Sequence, residues 1–415
     1  MKIELNGVSY RIPQAHVAVI CVDGGDPGYF DAARQSGVIP AIERFMESGF
    51  AGAAHCVIPS FTNPNNVSIA TGAPPAVHGV SGNFYLDRLT GEAVPMTGPA
   101  MMRSRTIFDL VSKAGVETAV ITAKDKLRRQ LGKGMDVGNG NICLSSQCAD
   151  RCTLFGNGIQ DALGWVGRPL PGMYSDALSL FVLDAGIRFL EEGSRPRLAY
   201  LSLTDYVQHK HPPGHPAALD FFRSVDRRCA ELDRLGATVA LVADHGMKDK
   251  CAPDGTYNII YLQDLLDRRF GPGKTRVICP ITDAFVGHHG ALGGFVRVYC
   301  FEDLNVLEAV RYIESIDGID SVLERTDAAS RFSLPLDVEG DAVVIASDAY
   351  CIGMTPADHD LEGLHGERLR SHGGISERDV PFILNRPLNG EYLARAGSEQ
   401  LMNYHVFEYA LNGVA

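Results

Sequence analysis

Seven side chains in this sequence are of the types that handle metal ions and phosphoryl groups, and each lies beside an apolar run or a turn. Asp23 comes directly after Val17-Ala18-Val19-Ile20-Cys21-Val22, and Asp205 follows the run Leu198 to Leu203, with His209 four residues on. Asp244 and His245 follow Ala237 to Ala243, and His372 stands in Ser371-His372-Gly373-Gly374. Thr62 lies in Ile58-Pro59-Ser60-Phe61-Thr62-Asn63-Pro64-Asn65-Asn66. Asp and His are the ligands zinc uses where water or substrate shares the metal. Three carboxylates gathered without cations repel one another, so two divalent ions are their natural partners. Thr62 sits between the apolar Cys56-Val57-Ile58 and a helix-like run, which places a nucleophile at a sheet edge, where a helix N-terminus favours an incoming anion. Plainer readings exist for each: Thr62 as an N-cap, Asp205 as a cap with His209 on the surface, Asp244-His245 as a buried hydrogen-bonded pair, and His372 as a turn residue.

Bringing these groups to one place requires strands that end side by side. The sequence alternates apolar strand-like runs with helical spacing: 17–22 strand, 39–50 helix, 52–58 strand, 106–114 helix, 117–122 strand. The pattern continues with a helix over 175–191, a strand over 198–203, a helix over 217–235 and a strand over 237–243. This predicts an α/β fold with a doubly wound, mostly parallel sheet, in which ligands collect at the carboxyl ends of the strands. Residues 130–175 are Gly-rich and read as surface excursions. After Asp254 the rhythm loosens into a compact β-α-β over 295–323 and a further strand over 342–346. Residues 1–253 and 369–415 are therefore expected to form the catalytic core, and 254–368 a smaller α+β lid insertion.

The chain has 415 residues, 45% apolar and 21% charged, with a net charge of −12. That balance describes a globular protein and argues against nucleic acid, which needs a basic surface. No run reaches the ~18 apolar residues of a membrane span, and no basic, apolar leader opens the chain, so the cytoplasm is the expected compartment. The ten cysteines show no C-x-x-C spacing and read as buried thiols. Composition leaves oligomeric state open, with a homodimer as one outcome.

Several stretches together carry a resemblance. Val22-Asp23-Gly24, Pro59 to Asn65, Thr71-Gly72-Ala73-Pro74-Pro75-Ala76-Val77-His78-Gly79-Val80, Asp205-Tyr206-Val207-Gln208-His209, Ala243-Asp244-His245-Gly246-Met247 and Ser371-His372-Gly373-Gly374 resemble the alkaline phosphatase superfamily. The branch is that of nucleotide pyrophosphatase/phosphodiesterases and phosphonoacetate hydrolases. The resemblance implies one zinc held by Asp205, His209 and His372, and a second by Asp23, Asp244 and His245 with Thr62 on it. It implies that Thr62 is the nucleophile and forms a phosphothreonine, and that Asn83 bonds a phosphoryl oxygen. Within this branch Lys124 and Lys126, just past a strand, are expected to hold the carboxylate of phosphonoacetate, whose acetate is a poor leaving group. Arg128 and Arg129 are rivals for that task. His215, in His211-Pro212-Pro213-Gly214-His215, is a candidate extra contact, and His288-His289 are candidates facing the site. The reaction implied is zinc-dependent cleavage of a small phosphonate to acetate and phosphate. The alternatives are a phosphodiesterase or nucleotide pyrophosphatase on the same metals, a phosphoglycerate-mutase-like transferase, against which Thr62 speaks, and a binding protein without turnover.

Overall fold

The computed structural model describes residues 2–282, 290–364 and 366–415. At its centre lies a seven-stranded sheet: β1 (Val17–Cys21), β2 (Phe50–His55), β3 (Thr118–Thr122), β4 (Ile142–Ser145), β5 (Leu198–Ser202), β6 (Thr238–Val242) and β7 (Asp379–Leu384). Their spatial order is β2-β7-β6-β1-β5-β3-β4. β6, β1, β5, β3 and β4 are parallel, while β7 runs antiparallel to both its neighbours. Every residue of β1, β3, β5 and β6 is buried, as continuous apolar strands covered on both faces must be. Alternate residues serve opposite layers. Ala18 and Ile20 pack with Phe30, Phe181 and Phe221, whereas Val17, Val19 and Cys21 pack with Val67, Phe108 and Phe407.

The doubly wound, mostly parallel prediction holds, and two details differ from it. The Gly-rich stretch contains β4, a parallel edge strand registered on β3. The β-α-β over 295–323 is split: Phe295–Cys300 and Ile319–Glu324 do not pair but flank Ala342–Ala346, antiparallel to both. With Thr275–Ile278 they make a separate four-stranded sheet with its own apolar core. The chain leaves for that sheet through Lys248–Asp249 and returns through Arg370–Ser371, two short strands paired antiparallel. The smaller sheet rests on the turn before Thr62, where Phe61 and Ile58 pack with Ile281, Phe295 and Ile345. Among the described residues no helix is long and apolar enough to cross a membrane.

Candidate metal centre and active site

Four parallel strands end in register, and a charged side chain follows each end. Cys21 of β1 pairs with Val242 of β6 and Ser202 of β5, and Ser202 pairs with Thr122 of β3. Two residues past β1, β3 and β6 come Asp23, Lys124 and Asp244, and three past β5 comes Asp205. The register thus converts four separate sequence positions into one cluster. Gly24 (φ +67°) keeps the turn after Asp23 tight, since a Cβ there would stand 3.2 Å from the Asp205 Cβ. Lys124 Nζ lies 3.3 Å from Asp205 Oδ1 and 3.6 Å from Asp23 Oδ2.

Thr62 opens the helix Thr62–Thr71, and Phe61 is its N-cap residue. The threonine hydroxyl does not cap the helix. Its Oγ1 lies 3.2 Å from His245 Nε2 and 3.4 Å from Asp23 Oδ1. The turn is braced from behind. Ser60 Oγ donates to the Gly374 carbonyl and accepts from the Gly373 N–H, and Asn65 donates to the carbonyls of Val57, Pro59 and Phe61. Gly373 (φ +123°) lets the His372 loop approach, because a Cβ there would meet Phe61 at 2.4 Å.

All three histidines are fixed in the same way. His209 Nδ1 stands 2.7 Å from the Arg370 carbonyl, His245 Nδ1 2.8 Å from Gly246 O, and His372 Nδ1 2.8 Å from Ser60 O. A carbonyl only accepts, so each Nδ1 carries the proton and each Nε2 faces the carboxylates. His209 Nε2 is 3.0 Å from Asp205 Oδ2, His245 Nε2 is 3.2 Å from Asp23 Oδ1, and His372 Nε2 is 3.8 Å from Asp205 Oδ2. This outer bonding is how metal-binding imidazoles are held. Among the described residues, two groups have ligand atoms close enough to hold an ion: Asp23, Asp244 and His245, and Asp205, His245 and His372. The first is the expected set. In the second, His245 stands where His209 was expected, because the His209 Nε2 is turned onto Asp205 and the His245 ring stacks on His372 at 3.5 Å.

The electrostatics fit cations. Burial, and then Asp23, raise the Asp244 carboxyl well above its ordinary range. Burial works against a charged His245, yet Asp244 and Asp23 outweigh it and hold its pKa up at about 9. Burial, His245 and His209 push His372 well below its usual value, which keeps a neutral ligand. Asp23 Oδ2 is buried without a hydrogen bond. Crowded carboxylates that raise the pKa of their neighbours, with imidazole Nε2 atoms turned toward them and one carboxylate oxygen making no hydrogen bond, suit divalent metal.

A small cavity of about 30 Å³ opens beside Thr62. Asn63, Asn83, Lys124, Lys126, Asp205 and His372 line it, with Phe61, Leu127 and Ile281 as its apolar wall. Asn83 donates through Nδ2 to the Ile281 carbonyl at 3.2 Å, and its backbone N–H bonds Pro280 O at 2.8 Å. Lys124 and Lys126 share the cavity not as alternate strand residues but as the N-cap and second residue of the helix Asp125–Leu131. Arg128 and Arg129 bind Asp125 through their Nε atoms at 2.7 and 2.8 Å.

His215 is placed elsewhere. Its Nδ1 accepts from the Ala217 N–H and caps the helix Pro216–Arg234, and its exposed ring stacks on His211 at 4.3 Å; it does not line the cavity. Pro216 at the first helical position is the signal that could have marked it as a cap. His288 and His289 lie outside the described residues. Asn63, Ile281 and Leu127 escaped the sequence reading; Asn63 adjoins Thr62, while Ile281 comes from a segment with no polar pattern.

The sequence matches the type I phosphodiesterase / nucleotide pyrophosphatase family over residues 17–280. The structure is similar to phosphonoacetate hydrolase from Sinorhizobium meliloti 1021 in complex with phosphonoformate, at 47% identity and a TM-score of 0.95, covering 100% of this chain and 99% of that one. The same enzyme in complex with phosphonoacetate gives 46% identity and a TM-score of 0.94, over 100% and 99% of the two chains. The chain belongs to the type I phosphodiesterase / nucleotide pyrophosphatase family. Within that family it falls among the phosphonoacetate hydrolases. A murine ectonucleotide pyrophosphatase / phosphodiesterase, 15% identical over 97% of this chain and 96% of its own, superposes with a TM-score of 0.63 and shares the family fold.

Proposed function

We propose that this chain hydrolyses the C–P bond of phosphonoacetate to acetate and phosphate, with Thr62 as nucleophile at a site completed by two zinc ions. The observation that carries it is a small cavity lined together by Thr62, Asn83, Lys124 and Lys126, with the Thr62 hydroxyl against His245 and Asp23 and the Lys124 ammonium against Asp23 and Asp205. The likeness to phosphonoacetate hydrolase over the full chain supports the same substrate. One ion is assigned to Asp23, Asp244 and His245 with Thr62, the other to Asp205 and His372, with His209 joining once its Nε2 leaves the Asp205 carboxylate. When bound, zinc supplies Lewis-acid charge that favours the alkoxide and screens phosphoryl oxygens.

The remaining work belongs to the protein. Thr62 Oγ1 gives up its proton to solvent and attacks phosphorus in line. The C–P bond breaks, its electron pair passes to the methylene carbon and is delocalised over the carboxylate, and water protonates the carbon to give acetate. Lys124 and Lys126 place ammonium charge where that electron density gathers. Asn83, with one amide hydrogen on Ile281 O, offers the other to a phosphoryl oxygen. Water then hydrolyses the phosphothreonine, returning Thr62 and releasing phosphate. The core of 1–253 and 369–415 supplies the charged groups, and 254–368 serves as the lid that contributes Ile281. The ten unpaired cysteines support a cytoplasmic setting.

A phosphodiesterase activity is the second reading, because Lys126 also lines a wider cavity of about 640 Å³ with Pro95, Met101, Arg129 and Gln147, which has room for an ester group. Phosphate release from phosphonoacetate, phosphonopyruvate, aminoethylphosphonate and an aryl phosphodiester, with metal content measured alongside, separates the two. Phosphonoacetate is expected to be the preferred substrate, with activity lost on chelation and restored by zinc. Faster turnover of the aryl diester puts the second reading ahead.

A further inference from the structure

We infer that Asn66 is a positioning residue that fixes the Asp244 carboxylate for the ion held by Asp23, Asp244 and His245. The inference rests on the two-metal reading above. Asn66 lies inside the helix Thr62–Thr71 and is fully buried. Asparagine is a poor residue for a helix interior, since its amide competes with the backbone for hydrogen bonds. Here all four bonding positions of that amide are filled. Nδ2 donates to the Thr62 carbonyl and to Asp244 Oδ2, both at 3.0 Å. Oδ1 accepts from Tyr200 Oη at 2.7 Å and from Ser202 Oγ at 2.9 Å. The orientation is unambiguous, because the Thr62 carbonyl and the Asp244 carboxylate accept only.

One amide therefore touches three elements of the site. It bonds the residue proposed as nucleophile and the carboxylate at the end of β6. It also bonds two alternate residues of β5, the strand that leads to Asp205. The other Asp244 oxygen accepts from two backbone groups, the Gly24 N–H at 3.3 Å and the His245 N–H at 3.1 Å. The Asn66 amide, itself locked from the other side by Tyr200 and Ser202, resists turning of the carboxylate about its Cβ–Cγ bond. The neighbouring Asn65 makes the contrast: its bonds go to the backbone of the turn and to Asn403, none to a carboxylate of the cluster.

The test uses the full chain, stripped of metal and titrated with zinc against a chromophoric chelator. The wild type should show two binding steps, and Asp244→Asn marks which step belongs to the Asp23/Asp244/His245 site. Asn66→Asp keeps the shape but faces two acceptors with a third, and should weaken that step alone by about ten- to hundredfold. Tyr200→Phe removes one of the two hydroxyls that lock the amide and should give a smaller loss at the same step; it decides the matter if Asn66→Asp does not fold. Unchanged affinity at both steps, or equal weakening of both, overturns the role given to Asn66. A wild type that binds fewer than two zinc ions overturns the two-metal reading instead.

Discussion

The seven-stranded and four-stranded sheets are both made of short apolar strands, yet they treat buried charge in opposite ways. At the ends of β1, β5 and β6 stand three carboxylates, each at most 2% exposed, with an Asp23 oxygen left without a hydrogen bond. In the smaller sheet Arg297 is just as buried but fully engaged. Its Nε and Nη2 bind Glu339 at 2.7 and 2.8 Å, and its remaining donors reach the carbonyls of Phe84 and Ser81, both at 2.7 Å. Glu339 also accepts from Ser81 Oγ. A buried charge with every partner present is a fastener, here tying the smaller sheet to the residues on either side of Asn83. Three buried carboxylates crowded together, one with an oxygen that makes no hydrogen bond, are a place built for a cation to bind.

The comparison breaks if the two kinds of charge respond alike to substitution. The largest effect is expected for Thr62→Ala, which removes one hydroxyl from beside the carboxylate cluster. Turnover should fall by at least ~10³-fold while zinc content and the melting temperature hold; a fully active variant would mean that water attacks phosphorus directly. Next comes Arg297→Met, which strands Glu339 without its partner. Chemical denaturation should show a loss of about 3–5 kcal/mol, with Arg297→Met/Glu339→Leu recovering part of it. A loss below about 1 kcal/mol, the level of an exposed pair, would show that the fastener is dispensable.

Lys126→Ala should be milder still. A charge-assisted hydrogen bond contributes about 1.5–3 kcal/mol, so phosphonoacetate turnover should drop about ten- to hundredfold, with an aryl phosphodiester little affected. Equal losses on both substrates remove the carboxylate contact. The smallest effect belongs to Asp337→Ala. Its pairing with Arg103, at 2.6 and 3.0 Å, joins the same two regions as Arg297 does but on the surface. Unfolding experiments should register no more than about 1 kcal/mol, shrinking as salt is added.

Much of the Asp/His cluster was legible because it obeys one rule. Apolar runs buried on both faces announce β1, β3, β5 and β6, and a charged residue directly after each run must emerge at the same edge. What the sequence hides is whatever depends on partners distant along the chain. Strand β4 is four residues long at the sheet edge, behind Gly138-Asn139-Gly140, and its length carries no periodicity. The direction of β7 follows from where the chain returns. Ala342–Ala346 slips between two strands that read as a unit. Exchange between His209 and His245 in the second ligand group is a matter of ring orientation, set by the carbonyls of Arg370 and Gly246. Asn66 looks like any helical asparagine until Tyr200, Ser202 and Asp244 are seen around it.

Among the described residues strand β2, which leads into the turn before Thr62, pairs with the sheet through β7 alone, and β7 is Asp379–Leu384, more than 130 residues after Asp244. During synthesis, when N-terminal parts emerge first, Thr62 and the three aspartates leave the ribosome long before that strand exists. His372, and the Gly373-Gly374 backbone that braces Ser60, arrive almost as late. A nascent chain can thus gather Asp23, Lys124, Asp205 and Asp244 on paired strands well before the pieces that seat Thr62 and supply His372 exist, so the hydroxyl side of the site is the last to be set.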